Sequence, residues 1–243
     1  MDELTTEVRF LPAGNADLVV TTLGLISSQE VISGEPVRLP PSYKGQRNFP
    51  GLFWLATTHR TVVYESLLEL DRLWLADFDP STVQIATQPF HLQGRDGAHL
   101  RRHVPDILLE HSNGSFTLVD VKPATRLSDK RVQDQFSWTA GLCRAKGWSY
   151  EVWSGADPIL MRNLRFIAVG RRAQFLHPRL LDELEPLGHP EMTLAQTEQA
   201  ATGLADENTL RMAVLALLWA NRWHVNLTKP ISLQTQLLEA PHG

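Results

Sequence analysis

The sequence predicts an α/β protein built on a mostly buried sheet, and three observations carry that expectation. Strand-like and helical segments alternate from residue 52 to residue 169, the layout of a sheet covered by helices. The strand-like runs at 104–109 and 116–121 are apolar on both faces, so each face needs a covering layer. The 243 residues suffice for one large domain, or for a domain with a small appendage.

Taken in order, residues 1–40 read as an irregular N-terminal extension with strand-like stretches at 8–11 and 18–22. Residues 42–51 are polar and end on Pro50-Gly51, a loop. Residues 52–57 read as a strand. Residues 64–78 are rich in Leu and Glu and are followed by Pro80, which predicts a helix with a clear stop. A short strand at 83–87 ends at Gln88-Pro89. His99 and His103 are assigned to a loop. Strands at 104–109 and 116–121 flank Ser112-Asn113-Gly114, a hairpin turn. A helix follows at 128–145, with Ser128 as cap and Asp129 in its first turn. Next come a strand at 150–153, a short helix at 157–163 and a strand at 164–169. From residue 174 the pattern is helical, clearest at 206–222, with strand-like 223–227 behind it. The expected domains are therefore 1–40, 41–173 and 174–243.

Composition narrows the class. Hydrophobic residues at 43% and charged residues at 21% match a globular protein rather than a disordered one. No apolar run approaches the roughly 20 residues that span a bilayer, and Met1-Asp2-Glu3 does not open a signal peptide. The single cysteine, Cys143, excludes a disulfide framework and a thiol-rich zinc site. A cytoplasmic protein without a membrane partner is expected. The net charge of −4 is unevenly placed: residues 174–243 hold Arg179, Arg211, Arg222 and Lys229 against 8 acidic residues. The remainder is neutral, with basic clusters at 101–103, 122–131 and 162–172. Such a balance is not the strongly basic surface that holds a polyanion unaided.

The chemistry concentrates in the hairpin. A three-residue loop with Gly114 in the left-handed position sets His111 opposite Ser115 and Asp106 opposite Asp120. Side chains alternate along a strand, so Lys122 shares the face of Asp120, while Ile107, Leu109, Val119 and Val121 form a core face. A two-residue loop would instead put the two acids on opposite faces. Facing carboxylates repel unless a cation lies between them, and hard oxygen ligands with open positions suit Mg²⁺ or Mn²⁺. Lys122 can orient a water or stabilise charge on phosphate. Glu65, at the start of the preceding helix, can complete the metal shell, with Glu69 and Arg72 further along the same face. Each residue alone reads as ordinary surface; the ordered set is the signal.

That order, Glu65, Pro105-Asp106 and Asp120-Val121-Lys122, resembles the PD-(D/E)xK nuclease superfamily. Tyr43 to Arg47, Pro50-Gly51, Tyr64-Glu65-Ser66 with Glu69, Gln88-Pro89 and residues 148–155 narrow the resemblance to TnsA-like endonuclease subunits of heteromeric transposases. Residues 219–233 resemble the helix-plus-wing end of that family. The resemblance implies a restriction-endonuclease-like core, a mixed sheet flanked by helices, with a small helical, winged-helix-like C-terminal domain. It implies metal ligation by Glu65, Asp106, Asp120 and the main-chain carbonyl of Val121, with Lys122 as the positively charged catalytic residue. It implies Mg²⁺-dependent hydrolysis at the 5′ ends of a mobile element, leaving a 5′-phosphate and a 3′-hydroxyl, while a DDE transposase cuts and joins the 3′ ends. Double-stranded transposon ends, the DDE transposase and an ATPase regulator are the expected partners. Lys44, Arg47, Arg101, Arg102 and Arg126 are the expected DNA-binding residues.

Other signals are set aside. No Gly-x-Ser-x-Gly elbow, phosphate-binding loop or His-Glu-x-x-His pair occurs. Cys143, Trp138, Trp148 and Trp153 are expected in the core, and Trp219 and Trp223 are expected to pack the tail. The rival functions are a restriction or repair endonuclease of the same fold and a non-catalytic transposase assembly module.

Overall fold

A computed structural model describes residues 3–39 and 49–240. The chain forms two compact units, Met1–Gly155 and Ala156–Gly243. The boundary thus precedes the expected one after residue 173, and residues 1–40 are not a separate extension.

The first unit runs through β1 (Glu7–Phe10), β2 (Val19–Thr22), α1 (Ser28–Ile32), β3 (Gly51–Trp54), β4 (Thr61–Tyr64), α2 (Leu67–Phe78) and β5 (Thr82–Thr87). It continues with β6 (His91–Asp96), β7 (His99–His103), β8 (Ile107–His111), β9 (Phe116–Val121), α3 (Lys130–Lys146) and β10 (Ser149–Trp153). The central sheet has the order β10-β9-β8-β5. β10 lies parallel to β9 and the other pairs are antiparallel, so the sheet is mixed. One face, with Ile107, Leu109, Val119 and Val121, packs on Leu73 and Ala76 of α2 and on Phe53 and Leu55. The other, with Leu108, Phe116 and Leu118, packs on Trp138, Leu142 and Cys143 of α3 and on Val8, Phe10 and Leu92. Each such side chain contributes about 1.5–3 kcal/mol on full burial, which explains strands that are apolar on both faces.

A second sheet, β2-β1-β6-β7, is antiparallel throughout. It corrects two expectations. Residues 1–40 supply half of its strands as well as Ile26, Val31 and Ile32 to the core. His99 and His103 lie on β7, not in a loop. The β6–β7 sequence is polar because much of the hairpin faces solvent, which hides its period from a hydrophobicity reading. The β3–β4 ribbon corrects a third: Tyr64 ends a strand favoured by its β-branched neighbours, and the helix begins at Leu67 behind the Ser66 cap. α3 likewise starts one residue late, with Asp129, not Ser128, as its cap.

The second unit is helical: α4 (Pro158–Ile167), α5 (Pro178–Leu184), α6 (Leu194–Ala200) and α7 (Glu207–Trp219). The expected strand at 164–169 is instead the end of α4 and a 3₁₀ turn. Asp157 caps the N–H groups of Ile159 and Leu160, Pro158 occupies the first turn, and Met161, Leu164 and Ile167 are buried on one face; that spacing is helical. α7 is buried from Ala213 to Trp219. Its backbone approaches the turn at Gly170 so closely that an added Cβ would lie 2.3 Å from the Ala216 nitrogen. The wing strand expected at 223–227 does not form; His224 makes an isolated bridge to Leu238. Trp223 instead packs on Gly188 and donates to the Glu185 carbonyl at 3.3 Å. No helix among the described residues is long and apolar enough to cross a membrane.

Candidate active site

The β8–β9 hairpin has the predicted register. Its ladder runs from Glu110 opposite Phe116 to Ile107 opposite Val119, and the His111 N–H donates to the Ser115 carbonyl at 2.9 Å. Gly114 sits at φ +79°, where a side chain would be strained. Continued one step past the ladder, that register sets Asp106 opposite Asp120, close enough for the Asp120 charge to act on Asp106. There the strands part, and a carboxylate replaces the missing backbone partner: Asp106 Oδ2 accepts the Val121 N–H at 2.6 Å. The Asp106 carbonyl accepts the Gln88 N–H at 2.9 Å. Burial, followed by the nearby carboxylates of Glu69 and Asp120, raises the Asp106 pKa well above 3.8, against the Val121 N–H and the Lys122 charge.

Asp120 is 1% exposed. Nε2 of His103 lies 2.8 Å from each of its oxygens, and the Tyr150 hydroxyl donates to Oδ2 at 2.6 Å. Burial, then Asp120, pushes the Tyr150 phenol upward, so it remains a donor. The same two causes push the Cys143 thiol up to about 12, consistent with a packing role.

Glu65 lies between β4 and α2 rather than on the helix. Its Oε1 accepts from Gln88 Nε2 at 2.9 Å and pairs with Arg38. Gln88 is 1% exposed and holds a left-handed backbone, φ +48°, a conformation that persists only where its surroundings impose it. Through its N–H and its amide it ties Asp106 to Glu65. Glu69 is buried in the first turn of α2, where it accepts from the Glu65 N–H and from Ser66 at 2.9 Å each. Burial is the first cause that raises its pKa. Arg72 is drawn off to a bidentate pair with Glu151 at 2.8 and 3.0 Å.

Glu65, Glu69, Asp106 and Asp120 line one cleft of about 1470 Å³, with Val121 and Lys122 beside them. Its lining also includes Arg9, Arg38, Arg102, Arg126 and Arg131, each of them exposed. Of the predicted DNA-binding residues, Arg102 and Arg126 thus line the cleft. Arg101 does not: it pairs with Asp96 at 2.6 Å and approaches Asp134 at 4.0 Å. Lys44 and Arg47 lie outside the described residues.

The donors suit a hard divalent cation. They are oxygens only, and Asp106 is an acid whose ionised form burial and two neighbouring carboxylates oppose; a cation would stabilise that form. Among the described residues no three His, Cys, Asp or Glu side chains are gathered as a metal cage. An ion that keeps most of its waters needs only one or two carboxylates. Asp106 and Asp120, with the Val121 carbonyl, are the residues that would hold it.

Sequence reasoning did not find His103, Tyr150, Arg38 or Gln88 as partners of the acids. His103 and Arg38 belong to segments read as irregular, and their contacts span 17 and 27 residues, beyond any local period. Tyr150 carried a signal, as a polar-tipped aromatic in a predicted strand, whose hydroxyl needs a partner when buried.

No curated protein matches the chain. Residues 79–155, a stretch that takes in Asp106, Asp120, Lys122, His103 and Tyr150 but not Glu65, match the family model of the TnsA-like endonuclease N-terminal domain, which supports a TnsA-like endonuclease.

Proposed function

We propose that this chain is the DNA-cleaving subunit of a heteromeric transposase: a Mg²⁺-dependent endonuclease that hydrolyses phosphodiester bonds at the 5′ ends of a mobile element. A DDE transposase subunit would process the other strand, and the acidic stretch 174–243 of the second unit would dock that subunit or an ATPase regulator. The observation that carries the reading is the meeting of Asp106, Asp120 and Lys122 in one cleft, within the stretch that matches the endonuclease family.

The division of labour follows from the site. Mg²⁺, or Mn²⁺ in its place, supplies polarisation of a phosphate oxygen and a more acidic water. Lys122 places a positive charge beside Asp106, where it stabilises the charge that gathers on phosphate as water attacks and the 3′ oxygen leaves. Asp106 is fixed by two backbone contacts, so it need not reorganise when substrate arrives. Glu65, held by Gln88 and Arg38, sets the near wall. The exposed arginines of the cleft hold neighbouring phosphates without reading sequence. The first unit carries 15 basic against 18 acidic residues, which makes this grip weak, so the partner positions the DNA.

The test is cleavage of a labelled transposon-end duplex by the full chain assembled with the neighbouring DDE transposase and Mg²⁺. Wild type should cut the 5′ ends, and Asp106→Ala and Lys122→Ala should abolish that cut alone, leaving 3′ processing intact. Full 5′ cleavage by either variant rejects the assignment. Robust plasmid cleavage by the isolated chain at physiological salt contradicts its dependence on a partner.

A further inference from the structure

The geometry points to Tyr150 and His103 as positioning residues that set how strongly Asp120 holds the divalent ion. The inference rests on the ion-site reading above and adds two residues that act through Asp120.

Asp120 is almost fully enclosed, and its two oxygens are unequally occupied. Oδ2 receives the Tyr150 hydroxyl at 2.6 Å, and the one N–H that His103 Nε2 can carry is shared between Oδ1 and Oδ2 at 2.8 Å each. A carboxylate oxygen accepts about two hydrogen bonds. Oδ2 is therefore the more fully occupied oxygen, and Oδ1 keeps the greater capacity for a further ligand. Tyr150 comes from β10, parallel to β9 with Tyr150 opposite Leu118. His103 comes from β7, a strand of the second sheet. The carboxylate is thus held from two independent elements, which fixes its rotamer before an ion arrives. Groups that orient a metal ligand in this way typically govern 10–100-fold in affinity.

The experiment is Mn²⁺ titration of the full DNA-free chain, with the free-ion electron paramagnetic resonance signal as readout and thermal unfolding of each metal-free variant in parallel. Tyr150→Phe should weaken Mn²⁺ binding about 10-fold or more. His103→Ala should do the same, and His103→Gln, which restores an N–H donor, should recover part of the loss. Asp120→Ala should lose nearly all binding at this site. Should Tyr150→Phe fail to fold, the His103 pair carries the test. Tyr150→Phe and His103→Ala that bind within twofold of wild type, while Asp120→Ala does not bind, would overturn the positioning role and leave the ion site standing. Wild type that takes up no Mn²⁺, or Asp120→Ala that binds as well as wild type, would overturn the ion site itself and this inference with it.

Discussion

The floor and the rim of the cleft are built on opposite terms. On the floor, Asp106, Asp120, Glu65 and Glu69 are buried or half-buried, and each carboxylate accepts hydrogen bonds from defined partners. On the rim, Arg9, Arg38, Arg102, Arg126 and Arg131 are exposed, and their pairs are the weak, re-formable kind. Chemistry needs groups fixed to within about half an ångström. A grip on a uniform polyanion needs charge at roughly the right place and little more. The floor should therefore respond to substitution in rate and stability, and the rim in salt dependence.

The largest expected effect is on the floor. Lys122→Ala should slow single-turnover 5′ cleavage by about 10²–10³-fold while DNA affinity at fixed salt stays nearly constant. A loss of affinity without a loss of rate would move Lys122 to the rim and erase the distinction.

Asp106→Asn should uncouple stability from activity. The folded-state pKa of Asp106 is raised above 3.8. Its contribution to stability is therefore complete below the unfolded value and is lost as pH rises through the folded one. At neutral pH the metal-free wild type carries that cost. Asn keeps an oxygen for the Val121 N–H and removes the repelling charge, so the variant should be more stable by about 1–2 kcal/mol, several degrees in thermal unfolding. The gain should vanish in acid, and cleavage should be lost. Mg²⁺ should raise the unfolding temperature of wild type and not of the variant. Equal pH profiles for the two proteins would contradict the cause assigned to the shift.

The hairpin register that brings Asp106 opposite Asp120 was legible in the sequence, and the supports of the two acids were not, for a physical reason. Ser112-Asn113-Gly114 fixes the register locally, so the facing of Asp106 and Asp120 follows from a few adjacent residues. The two buried faces of the central sheet were legible in the same way, from apolar runs. What failed was non-local. Pairing of β1 with β6 joins Glu7 to Gln93, and no short-range pattern announces it. The mistaken strand at 164–169 shows the complementary limit. Short apolar runs do not separate strand from helix by period alone, and the Asp157-Pro158 cap upstream decided it. Glu65 was placed on the helix because the run 64–78 is rich in Leu and Glu; the helix starts later, behind Ser66, whose side chain accepts from the Glu69 N–H at 3.2 Å.

The turn itself gives a smaller, structural effect. Gly114→Ala forces a side chain into φ +79° and should cost about 1–2 kcal/mol, read by denaturant unfolding, with cleavage by the folded fraction unchanged. Deletion of Asn113 shortens the loop and should end cleavage, because the shifted register turns Asp106 away from Asp120. A deletion variant that still cuts would show that the facing pair is dispensable.

The smallest effect belongs to the rim and is the sharpest test of the contrast, because Arg101 and Arg102 are neighbours with opposite fates. Arg102 lines the cleft, exposed, with its Nε donating to Gln93 at 2.8 Å. Arg101 is 18% exposed at its side chain and held by Asp96. If the rim grips phosphate, Arg102→Ala should lower the slope of log affinity against log salt by about 1 and weaken binding a few-fold, without altering the cleavage rate at saturating DNA. Arg101→Ala should leave the slope unchanged and lower thermal stability instead, because it removes a partner of Asp96 and not a phosphate contact. Competition titrations at several salt concentrations separate the two. Equal slopes for both variants would mean that the β6–β7 hairpin does not face DNA, and that the grip resides in the remaining arginines of the cleft.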